Sequence, residues 1–178
     1  MTRVMVDIET LATTPDAAIV SIGAVTFSAT ADPIDEALHI SVSRESCREH
    51  GRRVDPDTLE WWQDQPAEAR HILQGGRPLH AALEALAGFC DGVDGVWANS
   101  PAFDCVILES AYRDVRIAPP WEFHQRRDVR TLRNHSPAWP DDRDHEGVQH
   151  DALDDARHQA RCVAACLRRQ RDGDGGGD

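Results

Sequence analysis

The stretch Val4-Met-Val-Asp-Ile-Glu-Thr10 decides the fold. Val4, Val6 and Ile8 alternate with Met5, Asp7 and Glu9, the period of two that marks a β-strand. Residues i and i+2 of a strand project to the same side of a sheet, so Asp7 and Glu9 point together. Two carboxylates side by side at the margin of a core repel each other and resist desolvation. A hard divalent cation, which takes oxygen ligands, relieves both penalties. A strand end with both acids facing water does so too, and the pair alone does not choose.

Working outward, residues from about 19 to 28 and from about 37 to 43 read as two further strands. The first of these contains Ile19-Val-Ser-Ile-Gly-Ala-Val-Thr-Phe27, rich in β-branched residues, and its Gly23 marks a close approach or a bulge. Short polar connections containing Pro15 and Pro33 predict an antiparallel meander. Helical spacing follows over Asp57 to Leu73 and Leu79 to Cys90, then a short strand over Gly92 to Asn99 and a helix over Phe103 to Val115. Residues 116 to 149, with prolines at 119, 120, 137 and 140, read as mostly loop. A long helix runs from Ala152 to about Arg169, capped by Asp151, with Leu153, Ala156, Ala160, Val163 and Leu167 on one stripe. The pattern predicts one domain over 1–170 and a disordered Gly/Asp tail over 171–178. The expected fold is α/β: a mixed sheet with three N-terminal antiparallel strands, followed by parallel strands and flanking helices. If the later strands add beside the first, that strand is central and its acids lie toward its C-terminal half, where α/β proteins commonly place ligands.

A chain of 178 residues with 40% apolar residues can bury a proper core and is not disordered. No stretch is long and apolar enough for a membrane span, and no secretory leader opens the chain, so the expectation is a cytoplasmic protein with no membrane partner. The five cysteines include no Cys-x-x-Cys, which argues against structural zinc; Cys162 and Cys166 fit as small apolar helix residues. The net charge is −12 and all 19 basic residues are arginine. Broad clamping of duplex nucleic acid, which needs a basic face, is disfavoured; a polyanionic substrate reached through bound metal and a local Arg cluster is not.

Further acids join the pair. Asp104 follows Asn99-Ser-Pro-Ala-Phe103 at a turn into a helix, where an acid also suits the helix dipole. His150-Asp-Ala-Leu-Asp-Asp155 opens the last helix, and Asp151, Asp154 and Asp155 are more acids than capping needs. Asp154 and Asp155 diverge by about 100° around the helix, so one can face the sheet and the other water. A histidine just before such an acid can accept a proton from water near neutral pH.

In that order, Asp7-x-Glu9, Asn99-x-x-x-Phe-Asp104 and His150-x-Ala-x-x-Asp155 resemble the three motifs of the DEDDh 3′→5′ exonucleases, enzymes with a ribonuclease H-like fold. The segments Asp7 to Pro15, Gly51 to Trp62 and Arg127 to Leu132 look closest to the exodeoxyribonuclease VIII-like subgroup, with phage exonuclease A and a mycobacterial-type exoribonuclease. The resemblance implies two Mg²⁺ or Mn²⁺ ions held by Asp7, Glu9, Asp104 and Asp155, with His150 as general base. It implies cleavage at the 3′ ends of single-stranded DNA or RNA, or of 3′ overhangs, with release of nucleoside 5′-monophosphates. It also implies a homodimer. Asp151 and Asp154, both acidic neighbours, depart from the commoner family forms; they predict a raised His150 pKa and an activity optimum above about pH 7.5.

The same resemblance places Thr10 and Leu11 against the terminal nucleotide, by a backbone contact to the 3′-hydroxyl and an apolar wedge. Trp61 and Trp62 are adjacent on a helix and cannot share a face, so one is core and the other is free to stack on a base. Phe103 completes the substrate-contacting set. Arg52, Arg53, Arg126, Arg127, Arg130 and Arg133 are phosphate-contact candidates, with solvated surface the blander reading. Asp128 matches a family acid that supports structure. A second metal site from His124, His135 and His145 is poorly spaced. Two other classes stay open: a non-catalytic nucleic-acid-binding module on the same fold, and a metal-dependent phosphohydrolase acting on nucleotides or short oligomers.

Overall fold

The computed structural model describes residues 2–30, 32–137, 139–140 and 147–174. Its centre is a five-stranded sheet in the order β3-β2-β1-β4-β5, formed by Arg3–Thr10 (β1), Ile19–Phe27 (β2), Ile34–Ser41 (β3), Gly95–Ala98 (β4) and Arg126–Asp128 (β5). The first three strands form the expected antiparallel meander, and β4 and β5 add in parallel on the far side of β1. This mixed sheet with flanking helices is the ribonuclease H-like architecture, with β1 at its middle.

Alternation along β1 separates two cores. Val4, Val6 and Ile8 join the larger cluster, with Leu79, Leu83, Ile107, Tyr112 and Trp62. Met5 faces the other way, with Val25, Phe27 and Trp97, under Ala156, Ala160 and Val163 of the last helix, Ala152–Asp174. Leu153 and Leu167 pack against this second cluster, so the stripe read from the sequence is the buried one. Asp7 and Glu9 continue the Met5 face, so that one surface of β1 changes from apolar to acidic toward its C-terminal end.

Several boundaries differ from the expectation. The helix expected over Asp57–Leu73 breaks after Gln63, and Pro66, which has no N–H to donate, precedes the next short turn of helix. The helices are therefore Arg44–Glu49 (α1), Pro56–Gln63 (α2), Ala67–Arg70 (α3), Leu79–Phe89 (α4), Asp104–Asp114 (α5), Val129–His135 (α6) and Ala152–Asp174 (α7). The segment read as mostly loop over 116–149 contains β5 and α6. The last helix runs through Asp174, beyond Arg169 and into the expected tail, whose residues 175–178 lie outside the described ones. All five cysteines are buried, and none forms a disulfide. Among the described residues no helix is long and apolar enough to cross a membrane.

Candidate active site

Three elements deliver the acids to one place. Asp7 and Glu9 come from β1, Asp104 from the first residue of α5, and Asp155 from the first turn of α7. The approach of α7 depends on Gly23, which lies opposite Asp7 in the β1–β2 register. A Cβ at Gly23 would sit 2.1 Å from the Ala152 carbonyl carbon and oxygen, so only glycine lets the start of α7 rest on the strand. The close approach read from the sequence is thus the hinge point of the site. At the far end of β1 the register shifts between Glu9 and Thr10, and Thr10 pairs with Ile19 beyond the shift.

The carboxylates behave as a mutually repelling set. Burial, then the charges of Asp104 and Asp155, hold Asp7 well above the usual aspartate value, while the Gln159 amide pulls the other way by donating from Nε2 to Asp7 Oδ1 at 2.9 Å. Burial, then Asp7, Asp155 and Asp104, push Glu9 from 4.5 up to about 10. Burial raises Asp104 to about 7, against the backbone N–H groups of Ser100, Asp104 and Ile8 and the charge of Arg130. Ligand atoms of Glu9, His150 and Asp155 lie within 4.8 Å of one another. Acids that raise one another's pKa, with an imidazole beside two of them, are oxygen and nitrogen donors of the kind that could hold a divalent cation.

His150 sits on a left-handed turn (φ 65°), unusual for a residue with a side chain. Its backbone N–H donates to Asp155 Oδ2 at 3.2 Å, which locks the turn to the helix start. The imidazole stands edge to face with Trp61, ring centres 5.0 Å apart, and with Trp62 at 6.3 Å. The two acids next to it are occupied elsewhere. Asp151 caps α7 through the N–H groups of Leu153 and Asp154 and lies 4.0 Å from His39 Nε2. Asp154 accepts from the Val148 N–H and from Arg157.

The tryptophans divide as expected. Trp62 is buried and donates from Nε1 to the Thr10 carbonyl at 3.0 Å; Trp61 is 42% exposed. Trp61, Trp62, Phe103, Thr10, Thr58 and Glu9 line an apolar pocket of about 410 Å³ that opens beside the acids. Leu11, expected as a wedge, is fully enclosed in the larger core and presents no surface to a base. Arg52 is likewise not a phosphate contact. Its buried guanidinium donates to the carbonyls of Ala17, Pro15 and Ile107 and pairs with Asp114 at 2.6 Å, tying β2's approach loop to α5. Arg53 pairs with Asp55, and Arg126 with Glu109. Arg130 is exposed and close enough to Asp104 to lower its pKa. Asp128 caps α6 through the Arg130 N–H and the Thr131 hydroxyl, a structural duty. His145 lies outside the described residues, and among those described the group competent for metal is Glu9, His150 and Asp155.

Sequence reasoning missed Gln159. The one signal was its spacing: four residues after Asp155, it lies one helical turn on, along the same face of α7.

This chain has the fold of solved exonuclease structures. It belongs to the Rv2179c-like family of 3′-5′ exoribonuclease domains, whose family model matches residues 2–167. Among solved structures it is similar to E. coli exonuclease I in complex with a dT13 oligonucleotide, with a TM-score of 0.67 and 17% identity, covering 97% of this chain and 43% of that one. The zinc-bound E. coli exonuclease I–ssDNA complex matches at TM-score 0.67 and 18% identity, over 96% of this chain and 41% of that one. A product-bound exonuclease I matches at 0.64 and 17%, over 97% and 45%. The chain therefore spans less than half the length of these enzymes, and at such identity the likeness is one of fold. Among curated proteins none matches this chain.

Proposed function

We propose that this protein removes nucleoside 5′-monophosphates one at a time from the 3′ end of single-stranded nucleic acid, using two Mg²⁺ or Mn²⁺ ions held by Asp7, Glu9, Asp104 and Asp155. The observation that carries the reading is the meeting of these acids with His150 beside an open aromatic pocket. When bound, such ions activate water and stabilise the leaving oxygen of an in-line displacement. The chain's own residues do the rest. An imidazole nitrogen of His150 takes the proton from the attacking water, since histidine ionises near working pH. The exposed face of Trp61 supports the terminal base, with Phe103 across the pocket, and the Thr10 backbone addresses the terminal sugar. Arg130, beside Asp104, is the cation best placed to meet the scissile phosphate. A pocket that takes one unpaired base favours single-stranded ends and 3′ overhangs over duplex.

We take RNA as the preferred substrate because the family is described as exoribonucleases; the E. coli exonuclease I complexes hold ssDNA. Cytoplasmic residence fits five cysteines that form no disulfide. Pairing of two copies would use the exposed Phe123 beside the β5 edge of the sheet. The deciding experiment offers 5′-labelled RNA and DNA oligomers with Mg²⁺ or Mn²⁺. Stepwise shortening from the 3′ end, stopped by chelation, is expected, with RNA degraded faster. Binding without turnover, or release of inorganic phosphate, refutes the reading.

A further inference from the structure

Gln159 is nine-tenths buried on α7, one turn beyond Asp155, and its Nε2 donates to Asp7 Oδ1 at 2.9 Å. The two ends of an amide lie side by side, so Oε1 is buried next to the same carboxylate, and among the described residues it finds no hydrogen-bond partner. A leucine or methionine at this position would fill the same space beside Ala156, Ala160 and Val163 without stranding a polar atom. The amide is therefore not a packing choice. What it offers is direction: a donor faces Asp7, and the oxygen that accepts from it is held in one place. With Oδ1 tethered from behind, the rotation of the carboxylate about its last bond is fixed, and Oδ2 is left to the cluster of acids.

We propose that Gln159 is a positioning residue that holds Asp7 as an oriented ligand for divalent metal. The inference rests on the reading of the acid cluster as a metal site. Partners of this kind behind a metal ligand commonly change affinity by about 10–100-fold. The test titrates Mn²⁺ alone, without substrate, into the wild type and Gln159→Met, by calorimetry. Weaker binding by about 10-fold or more in the variant is expected. In assays, the metal concentration for half-maximal activity should rise by a similar factor. A variant that folds and binds Mn²⁺ within twofold of the wild type overturns the inference while leaving the metal site standing. A wild type that binds no Mn²⁺ overturns both. If Gln159→Met does not fold, the wild type still decides by NMR: the side-chain amide protons of this buried glutamine should exchange slowly and shift on Mg²⁺ addition. Fast exchange, or no shift when Mg²⁺ binds, rejects the proposal.

Discussion

Glu9→Gln should stabilise the metal-free protein while destroying its activity. Glu9 has an ordinary value of 4.5 and is pushed up to about 10 by burial and by Asp7, Asp155 and Asp104. The sign follows from which state holds the proton. Below pH 4.5 both folded and unfolded chains carry Glu9 protonated and no penalty exists. Between that value and about pH 10 the folded state binds a proton that the unfolded state has released, so stability falls as pH rises across the window. At about 1.4 kcal/mol per pH unit, the ceiling on this cost at pH 8 is about 5 kcal/mol. A proton on one acid relieves the others, so removing one charge recovers only part, about 2 kcal/mol. For a chain of this length that is a rise in Tm of about 4–8 °C at pH 8. At pH 5 the same substitution should move Tm by less than about 2 °C, because the proton is nearly free there. Added Mn²⁺ should invert the order, stabilising the wild type more than the variant. The assay is thermal unfolding by circular dichroism in chelator, then in Mn²⁺, at both pH values. A gain equal at pH 5 and pH 8, or absent at pH 8, would refute the packing of these acids into one low-dielectric cluster.

The remaining tests are independent of that one. Asp7→Ala and Asp155→Asn should each reduce turnover to background with the far-UV spectrum unchanged; retained cleavage removes that residue from the metal set. Gly23→Ala should cost about 1–3 kcal/mol and lower activity together, because the new Cβ drives Ala152, and with it Asp155, off the strand; unaltered kinetics would mean that α7 does not depend on this contact. Trp61→Ala should raise KM by an amount equivalent to about 1–3 kcal/mol of stacking, whereas Trp62→Ala should instead destabilise the fold by about 3–5 kcal/mol; equal effects on both quantities would contradict their opposite exposures. At limiting Mg²⁺, activity should climb from pH 6 to above about pH 7.5 as protons leave the acids, and a flat profile measured at constant ionic strength would count against metal uptake as the titrating step.

What the sequence showed and what it hid follow one physical division. Asp7 and Glu9 were legible because a period of two is a local property, and Asp104 and Asp155 because helix starts are marked by turns and caps nearby. The acids could be assembled from local signals since each lies at the end of a regular element. β5 was not legible: three residues, Arg-Arg-Asp, carry no alternation of apolar and polar character, and the strand exists because β4 offers it a partner. Leu11 and Arg52 were misplaced for the same reason, since whether a side chain just past a strand or a helix meets core or solvent is decided by distant segments. For Arg52 these are the carbonyls of Pro15, Ala17 and Ile107. Gln159 is the extreme case. Its own helix marks it only by its spacing from Asp155; its duty exists because Gly23 lets α7 settle against β2, one strand over from Asp7. The clustered acids can therefore be read one motif at a time, while the group that hydrogen-bonds Asp7 emerges only when the strand and the last helix are brought into contact.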